Sequence, residues 1–519
     1  MIVSTQSFQK GAKVEHFPWW TEDQKRFADE VKQFVDKVIP RDEESKWKRE
    51  FPWDIFEAIG KNRYAGAMIP KEYGGLGLGV TGACIAGEEI SRMPGLGRAF
   101  IGSMLGGTGQ IMTYGNEEQK RRFLPRISQG ELGAICITEL FAGTDAAAIE
   151  TVARREGDKY IINGKKRFIV SAGVATRHML YARTSDDPED VRQYRHLTAF
   201  IVEKGMPGFT VEKVNEIMGF DNIQNGVLNL DEVPVPIENR IGEEGEGWRV
   251  MMEGVNLERV LLAAQDCGWL RAVVGVAVPY TRRRVQFGQP TTEFVNNQFK
   301  IANLFIRLGM VRLACFYNAY LLDLGHDIAM GAAAAKAFNC ETLVEATREA
   351  IQIMGGDGVT PFYVPREVYA VSKVEEISGG TMEAMRLVVY RTGLRELAKD
   401  IKMARRVIHK ELGVPITTYE KPVKEPHIGE DKLLKVLAED YRVNPGLYMS
   451  REDLKDYFDV KDEELDKILL SLEQKKLVKL YRGRAGIQLA KATYDGLKSA
   501  HPLEYYQWFP WWVDNKRKF

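Results

Sequence analysis

The stretch that decides the fold is GDKYIINGKKRFI, residues 157–169, in a chain of 519 residues. Apolar, largely β-branched and aromatic residues alternate there with polar ones, and the pair Asn163-Gly164 is a signal for a tight hairpin turn. Similar short runs, broken by Gly, Asp and Pro, extend over 131–245. The pattern predicts a central β domain in these residues.

Helical periodicity lies on both sides of this β domain. Residues 1–130 include TEDQKRFADEVKQFVDKVI, in which Thr21 suits the N-cap and apolar residues recur at helical spacing. Pro40 is expected to end that helix. Residues 246–410 hold three long apolar runs whose lengths suit an antiparallel bundle. The chain is therefore predicted to be a multi-domain α+β protein, with an N-terminal helical domain, a central β-barrel-like domain and a C-terminal four-helix bundle.

The last fifth of the chain has a different pattern. Three prolines in 411–430 indicate a linker. Residues 431–500 then show three helical runs followed by a predicted β-hairpin, which is the order of elements in a small winged-helix-like module. Residues 501–519 form a tail rich in aromatic side chains, and we expect it to pack on the larger body of the protein.

Composition argues against several classes of protein. Lys and Arg number 72, as do Asp and Glu, so the chain has no basic surplus with which to coat nucleic acid. No apolar run approaches the ~18–20 residues that span a bilayer, and the N-terminus lacks a secretory signal, so we expect no membrane partner and a cytoplasmic location. The five cysteines show no CxxC pair and the histidines no metal-ligand spacing, which argues against a disulfide scaffold and a metal site.

Five short motifs, in this order, resemble the acyl-CoA dehydrogenase flavoprotein family. They are PKEYGGLG (70–77), ICITEL followed by AGTD (135–145), RVQFG (284–288), QIMGGDG (352–358) and GGT (379–381). Each motif alone is weak, because glycine-rich loops are commonly turns, but five in order over about 20–405 are specific. The resemblance implies an oxidoreductase of fatty acid metabolism with FAD as cofactor, an acyl-CoA substrate and a homodimer or homotetramer.

The resemblance also places the FAD contacts. Thr138 matches the residue that binds the flavin pyrimidine edge, and Arg284 matches a diphosphate partner, since a guanidinium fork suits phosphate oxygens. In the family the adenine-side residues reach the cofactor of a neighbouring subunit. Val170 departs from the family, where many members have Thr near flavin N5. The predicted cofactor contacts are Ile137, Thr138, Gly143, Thr144, Phe168, Val170, Arg284, Phe287, Gln352, Gly355, Gly356, Gly358, Thr381 and Glu383.

The family's reaction needs a base for the α-proton of the thioester, while the β-hydrogen leaves as hydride to flavin N5. Most members carry that base as Glu directly before Gly-Thr, where this chain has Gly379. A minority, including isovaleryl-CoA dehydrogenase, carry it within Leu-Glu-Arg on a bundle helix, which matches 257–259 here. The resemblance therefore assigns Glu258 as the base. Glu375 and Glu376 are displaced along the loop and are expected to face elsewhere.

The surroundings of the predicted base support this assignment. Leu261 and Leu262 occupy its i+3 and i+4 positions, so no helical ion-pair partner is available to Glu258 there. Burial beside the flavin is expected to raise the pKa of Glu258. A backbone N–H of Gly379 or its neighbour would stabilise enolate-like charge, and the missing side chain at Gly379 favours a branched or cyclic acyl group. The predicted substrate contacts are Thr144, Asn256, Arg259 and Gly379.

Other functions stay open at this point. Electron-transferring flavoprotein is the expected electron acceptor, but an acyl-CoA oxidase or reductase would use the same site with another partner. The winged-helix-like module also suggests a non-catalytic, AidB-like protein that binds flavin and nucleic acid. Its candidate groove helix, 461–477, is acidic in its first half and would repel phosphate, which argues against a nucleic-acid partner. The basic side chains at the edge of this module, which we call its basic edge, are Lys475, Lys476, Arg482 and Arg484.

Overall fold

The computed structural model describes residues 16–220, 223–396, 405–408, 415–418, 420–483 and 486–506. Contacts between residues divide the chain into two units, the first of which ends at Glu396. The first unit is built of helices, then a sheet, then helices. The second unit is a small module of helices and short strands.

From residue 16 onward, six α-helices form the N-terminal part of the first unit. A capping box begins the first of them: Thr21 accepts a hydrogen bond from the backbone of Gln24, whose side chain accepts one from the backbone of Thr21. This helix continues through Pro40, contrary to expectation, because a proline removes only one N–H and the flanking Val35 and Ser45 are buried. The helices are α1 (Glu22–Lys48), α2 (Trp53–Lys61), α3 (Gly79–Ile90), α4 (Pro94–Leu105), α5 (Thr108–Tyr114) and α6 (Glu117–Ser128).

Eight strands form one sheet in the middle of this unit. The strands are β1 (Gly133–Cys136), β2 (Val152–Glu156), β3 (Lys159–Ile169), β4 (Arg177–Arg183), β5 (Leu197–Glu203), β6 (Phe209–Val214), β7 (Gly226–Pro236) and β8 (Arg240–Ile241), with the short helix α7 (Pro188–Arg192) before β5. Their order is β6-β7-β3-β2-β4-β5-β8, and β1 pairs with β4 in parallel. Within the described residues β6 and β8 are the two ends of this path, so its hydrogen bonds show a sheet rather than a closed barrel.

The turn predicted at Asn163-Gly164 is wrong, because β3 runs through both residues. Asn163 Nδ2 donates to Glu232 Oε1 at 2.6 Å, and the Glu232 backbone N–H donates to Asn163 Oδ1 at 2.8 Å, so pairing with β7 holds the segment extended. A register shift marks a bulge at this point. The hairpin turn lies instead at Gly157-Asp158, where Gly157 has φ +63° and joins β2 to β3.

Five helices form the C-terminal part of the first unit, one more than the predicted bundle. α8 and α10 pack along each other, and both contact α9 and α11. By length and composition α8 could cross a membrane, but most of its apolar stretch is buried, as in the core helix of a bundle. The elements are α8 (Gly247–Arg283), the hairpin β9 (Val285–Gln286) and β10 (Gln289–Pro290), α9 (Val295–Asp323), α10 (Ala329–Met354), α11 (Val364–Glu375) and α12 (Met382–Glu396).

Buried ion pairs join α3 to the bundle. Arg312 Nε on α9 donates to Glu88 Oε1 at 2.7 Å, and Arg271 on α8 contacts both Glu88, at 3.3 Å, and Glu89, at 2.5 Å. Burial would raise the pKa of Glu88, but the two guanidinium groups outweigh it and hold the pKa below its usual value. These charges are tolerated in the core because each has a partner.

The second unit contains the predicted three helices and hairpin. Its elements are β11 (Arg405–Ile408), β12 (Pro415–Thr418), α13 (Glu430–Val443), β13 (Met449–Ser450), α14 (Arg451–Tyr457), α15 (Asp462–Gln474), β14 (Val478–Gly483), β15 (Gly486–Ala492) and α16 (Tyr494–Ala500). β13 adds a third strand, in the order β13-β15-β14, and β11 pairs with β12. Leucines of α13 and α15, among them Leu433, Leu437, Leu465 and Leu469, form a separate apolar core.

The aromatic tail is described as far as Tyr506. The Arg442 guanidinium lies 4.0 Å from the Tyr505 ring centre, and the Tyr505 hydroxyl contacts Glu439. Tyr506 donates to the carbonyl oxygen of Leu497 at 2.7 Å. These two tyrosines therefore pack on the second unit itself, contrary to the expectation for the tail, because α13 offers them a cation and a carboxylate. Trp508, Phe509, Trp511 and Trp512 lie outside the described residues.

Candidate active site

The structure brings Glu258 and Gly379 together, as the sequence predicts. Glu258 lies on α8 with only 6% of its surface exposed, and Gly379 lies in the loop between α11 and α12 with φ +63°. A Cβ atom built on Gly379 would lie 3.5 Å from Glu258 Oε1 and 2.7 Å from Leu262 Cδ1. The two positions are therefore opposite walls of one site, and a side chain at 379 would occupy the space in front of the Glu258 carboxylate.

The environment of Glu258 suits a proton acceptor. Burial raises the pKa of Glu258 above its usual value; the charges of Arg98, Arg259 and Lys336 oppose the rise, and Glu375 adds to it. Among the residues that the structure describes, none is hydrogen-bonded to the Glu258 carboxylate. A carboxylate with a raised pKa and no fixed donor can take a proton from a bound molecule.

Two buried cations near Glu258 were not predicted. Arg98 on α4 lies 3.4 Å from Glu375 Oε1. Lys336 Nζ on α10 donates to the carbonyl oxygens of Glu375 and Gly380, at 3.0 Å each, and so holds the glycine loop against the bundle. Arg98 is the one charged residue of α4, and Lys336 is the one charged residue in the first three turns of α10, residues 329–340. That pattern is the signal from which both could have been found.

The expectation that Glu375 faces away from the site is wrong. Glu375 is fully buried in the last turn of α11, accepts a hydrogen bond from Ser378 Oγ at 3.1 Å and raises the pKa of Glu258. Glu376 points outward and pairs with Lys373 Nζ at 2.5 Å. The two neighbours differ because successive residues of a helix turn lie about 100° apart, so only one of them faces the core.

Two of the predicted substrate contacts join this site. Arg259 Nη1 donates to Asn256 Oδ1 at 3.0 Å, and its Nη2 would lie 4.0 Å from a Cβ atom built on Gly380. Thr144, in contrast, is exposed in the loop after β1, and no hydrogen bond within the described residues joins it to Glu258. The structure therefore groups Asn256, Arg259 and Gly379 around Glu258, and the role of Thr144 stays a prediction.

A second group of predicted residues lies where α4 meets the sheet. A Cβ atom built on Gly102 would lie 3.5 Å from Val170 Cγ1, so Val170 faces α4. Phe168 has φ +57°, which is rare for a residue with a side chain, and is half-exposed. The backbone N–H of Arg167 donates to the Thr138 carbonyl oxygen at 2.9 Å. This bond holds the Thr138 loop beside Phe168 and Val170.

A buried ion pair, which was also not predicted, anchors the same loop. Lys166 Nζ donates to Glu139 Oε1 at 2.6 Å and to the carbonyl oxygens of Ile137, at 3.2 Å, and Tyr181, at 2.7 Å. Thr151 donates to Glu139 through its backbone N–H at 3.1 Å. Glu139 and Lys166 are both almost completely inaccessible. Their pairing therefore fixes the backbone that carries Ile137 and the residue after it.

A third group lies at the far end of α8. Tyr280 donates to Asp357 Oδ2 at 2.6 Å, which brings the end of α8 to the QIMGGDG loop. Arg284 is exposed just after α8, and Phe287 is 95% exposed. A Cβ atom at either of residues 355–356 would meet nothing within 4 Å, so this loop presents open backbone. Open glycine backbone beside an exposed arginine suits a phosphate group.

Comparison with known proteins agrees with this arrangement. The acyl-CoA dehydrogenase N-terminal domain matches residues 21–131, the middle domain 134–233 and the C-terminal domain 245–394. The chain belongs to the acyl-CoA dehydrogenase family. The family's three domains end before the second unit of this chain, which is an extra C-terminal region.

Individual relatives match nearly their whole length. The chain is 35% identical over 377 residues to an acyl-CoA dehydrogenase of Bacillus subtilis. The aligned region covers 71% of this chain and 97% of that protein. It is 33% identical over 378 residues to a mitochondrial isovaleryl-CoA dehydrogenase of Oryza sativa, and the aligned region covers 72% of this chain and 91% of that protein. The structure of butyryl-CoA dehydrogenase from Megasphaera elsdenii matches with a TM-score of 0.70 at 31% identity, covering 73% of this chain and 100% of that one.

The family is FAD-dependent, and the residues of this structure fit that cofactor. Half-exposed Phe168, held at a strained φ, and the open backbone at 355–356 are surfaces that a ring and a diphosphate would cover. Gly143 also has open space where a Cβ would be, whereas a Cβ on Gly358 would lie 2.8 Å from a backbone oxygen of the preceding helix. The remaining predicted contacts are placed as follows: Gln352 is exposed near the end of α10, Thr381 caps α12 and Glu383 is exposed in its first turn.

Proposed function

We propose that this oxidoreductase dehydrogenates an acyl-CoA thioester between Cα and Cβ, with Glu258 as the base. The observation that carries the proposal is the buried Glu258 carboxylate, 3.5 Å from the place that a side chain at Gly379 would take. FAD, when bound, supplies the acceptor for the hydride that leaves Cβ. Glu258 takes the proton that leaves Cα, and its raised pKa brings its basicity toward the working pH.

The glycine loop is the proposed donor to the thioester oxygen. The backbone N–H of Gly379 or its neighbour would stabilise the negative charge that develops there when Cα loses its proton. Lys336 holds this loop through the carbonyl oxygens of Glu375 and Gly380. Arg259, bonded to Asn256, supplies a positive charge close to the same loop. The chain's own residues thus position the thioester, receive the proton and stabilise the charge.

The decisive experiment is Glu258→Gln. Glutamine keeps the shape of the side chain but accepts no proton, so anaerobic flavin reduction by an acyl-CoA is expected to slow ~10²–10⁴-fold. The variant is expected to stay yellow, with one FAD per chain, as the wild type is. Glu253→Gln is the matched control, because Glu253 lies on the same helix but is exposed and pairs with Arg249. A loss of reduction in Glu375→Gln and not in Glu258→Gln would refute the base assignment.

The proposed acyl group is branched or cyclic near the reacting carbons. Gly379 leaves open space beside the Glu258 carboxylate, and the similarity to an isovaleryl-CoA dehydrogenase supports the same conclusion. The test compares kcat/KM for straight-chain, isovaleryl-type and alicyclic acyl-CoA thioesters, which ranks their transition-state binding. A clear preference for a long straight chain would contradict this part of the proposal.

Electron-transferring flavoprotein is the proposed electron acceptor. It is distinguished from the alternatives by how the reduced enzyme is reoxidised. A dehydrogenase is reoxidised by the flavoprotein and slowly by air, an oxidase rapidly by air, and a reductase by an enoyl-CoA. Rapid reoxidation by air alone would overturn the proposed acceptor and leave the role of Glu258 intact.

We also propose a homo-oligomer, a dimer or tetramer, in which one subunit completes the FAD site of another. Glu258 and Arg283 are 25 residues apart on α8, which is roughly 38 Å at ~1.5 Å per residue. Within one chain, the residues predicted to lie near the flavin ring are therefore far from those predicted to bind the diphosphate. An exposed apolar stripe on α9 offers the contact surface; it consists of Phe299, Ile306, Met310, Leu313 and Tyr317.

Light scattering of the purified protein tests the assembly. Ile306→Glu, at a position 62% exposed, is expected to dissociate the oligomer and release FAD. Val214→Glu, at an exposed apolar position on the strand β6, is the control and should leave the assembly intact. A wild-type monomer that keeps its FAD would refute the shared site.

The second unit is proposed to be a winged-helix-like module that does not bind nucleic acid. Its basic edge is largely occupied: Lys475 pairs with Glu430, and Arg482 with Glu473; Arg484 lies outside the described residues. Salt-dependent binding of duplex DNA in fluorescence anisotropy would contradict this. A cytoplasmic location is proposed as well, supported by five free and buried thiols of the kind that reducing compartments keep.

A further inference from the structure

Helix α4 carries one charged residue, Arg98, in a run of small and apolar side chains. Only 5% of Arg98 is exposed, and its Nε and Nη1 atoms are buried without a hydrogen-bond partner among the described residues. Its carboxylate neighbour, Glu375 Oε1, lies 3.4 Å away, an ion-pair contact that lacks hydrogen-bond geometry. Burying polar nitrogens without hydrogen bonds costs free energy unless another group completes them.

Arg98 borders the space in which the acyl group would lie. Gly102 is one helical turn further along the same face of α4 and approaches Val170, with 3.5 Å between a built Cβ and Val170 Cγ1. On the other side, Arg98 is the cation that most strongly opposes the rise in the pKa of Glu258. Arg98 thus lies on the face of α4 that approaches Val170, and its guanidinium contacts Glu375, just before the loop that carries Gly379.

Arg98 belongs to a cluster of buried charged groups. The buried ionisable groups here are Arg98, Glu258, Arg259, Asp266, Lys336 and Glu375. Burial and the charge of Glu375 raise the pKa of Asp266 well above its usual value, which disfavours its charged form. Both hydrogen bonds of the Lys336 side chain go to carbonyl oxygens. The cluster thus holds three cations and three carboxylates, and within it Nε and Nη1 of Arg98 are buried donors that no hydrogen bond of the described residues fills.

A purely structural role for Arg98 explains these contacts less well. An arginine that only neutralised Glu375 would be hydrogen-bonded to it, as Arg312 is to Glu88 at 2.7 Å elsewhere in the same unit. Instead, Glu375 takes a hydrogen bond from Ser378, and its Oε1 atom is buried without one. The two Arg98 nitrogens that lack a hydrogen bond are therefore available to donate to a different acceptor.

We propose that Arg98 binds a carboxylate carried by the acyl group, so that the substrates are CoA thioesters of dicarboxylic acids. This inference rests on the proposed function, since it places the acyl group beside Glu258. A carboxylate can accept two parallel N–H bonds from one guanidinium, which specifies both charge and position. The chemistry is otherwise unchanged: one proton leaves Cα, one hydride leaves Cβ, and the carboxylate keeps all its atoms. A branch near the reacting carbons is compatible with it.

The first test needs only the wild-type holoenzyme. Succinyl-, glutaryl- and adipyl-CoA are compared with butyryl-, valeryl- and hexanoyl-CoA, which match them carbon for carbon. At least one dicarboxylic thioester is expected to exceed its uncharged partner in kcat/KM by about tenfold or more, because a site built for a polar group discriminates strongly against an analogue that lacks it. Equal values for every pair would overturn the proposal.

The second test is Arg98→Gln, which removes the charge and the fork. The preference, which is the ratio of kcat/KM for the dicarboxylic thioester to that for its uncharged partner, is expected to fall by about tenfold or more. A change in the pKa of Glu258 acts on both thioesters alike and so cancels in this ratio. Arg92→Gln is the control, because Arg92 pairs with Asp36 and Glu89 instead, and it should keep the preference. An equal loss for both thioesters in Arg98→Gln would show that Arg98 serves only the fold or the pKa of Glu258.

Two further measurements keep the outcome clear. If Arg98→Gln does not fold, as judged by FAD absorbance, Arg98→Gln combined with Glu375→Gln removes both buried charges and is tested in the same way. If no thioester of any kind reduces the flavin, the proposed function fails; the inference is then decided by binding. Glutaryl-CoA must still perturb the flavin spectrum with a Kd about tenfold below that of valeryl-CoA, and Arg98→Gln must remove the difference.

Discussion

Replacing Lys336 by methionine tests whether the buried cations tune the base. A Cβ atom built on Gly379 lies 3.4 Å from Lys336 Cε and 3.5 Å from Glu258 Oε1, so these two atoms are at most about 6.9 Å apart. With the ammonium nitrogen one bond further, at ~8 Å, and an effective dielectric constant of ~20, the attraction is about 2 kcal/mol, which is about 30-fold in an equilibrium constant.

The sign of the effect follows from the role of the base. The Lys336 charge lowers the pKa of Glu258, and Lys336→Met is therefore expected to raise it further. Glu258 accepts a proton only when it is ionised, so the acid limb of the kcat/KM profile should move to higher pH, and kcat/KM on that limb should fall by about 30-fold. The plateau should fall as well, because the carbonyl oxygens of Glu375 and Gly380 lose their donor.

The assay is kcat/KM for one acyl-CoA between about pH 5 and pH 9, a range that brackets the raised pKa of a catalytic carboxylate. Lys373→Met is the matched control, since Lys373 is exposed on the neighbouring helix and pairs with Glu376. The acid limb of the kcat/KM profile of this variant should not move. Lys336→Arg keeps the charge and should restore the limb even if the plateau stays low. A lowered plateau with an unmoved limb in Lys336→Met would refute the electrostatic reasoning and leave Lys336 as a holder of the loop.

Three further predictions concern other parts of the first unit. Lys166→Met leaves its carboxylate partner unpaired under the Thr138 loop, so FAD is expected to dissociate during gel filtration, whereas Lys165→Met, at an exposed position, keeps it. Glu88→Gln should lower the free energy of unfolding by about 3–5 kcal/mol in denaturant titrations. This difference from wild type should shrink below about pH 4, because a carboxylate with a lowered pKa stabilises the fold only while it is ionised. Gly379→Ala should cut kcat while FAD stays bound, whereas Gly205→Ala, also at positive φ but in open space, should not; equal effects of the two would mean backbone strain alone is responsible.

Local sequence was sufficient for several elements and misleading for others. Thr21 predicts the start of α1, because a cap is a contact between residues three apart. Pro40 and the Asn163-Gly164 pair have equally clear local preferences, and both were overridden. Buried neighbours on both sides carry the helix past Pro40, and hydrogen bonds to Glu232, a residue distant in sequence, hold the second pair extended.

The site divides in the same way. The exchange of a glutamate for Gly379 and the presence of Glu258 could be recognised from motifs, and the structure sets the two facing each other. Arg98 and Lys336 belong to no motif, since their importance comes from what α4 and α10 pack against. Glu375 was misjudged because its orientation depends on where α11 ends, which distance along the chain does not show.

By itself, the sequence determined the order of helical and β segments, the family and the residue that we propose as the base. Periodicity, caps and motifs are properties of residues close in the chain, and they survive in the sequence as patterns. Only the tertiary structure decided which charges are buried together. The pKa of Glu258, the open nitrogens of Arg98 and the hold of Lys336 on the glycine loop each depend on groups from α4, α8, α10 and α11 that meet in space. Electrostatic energy depends on distance and on exclusion of water, and packing sets both.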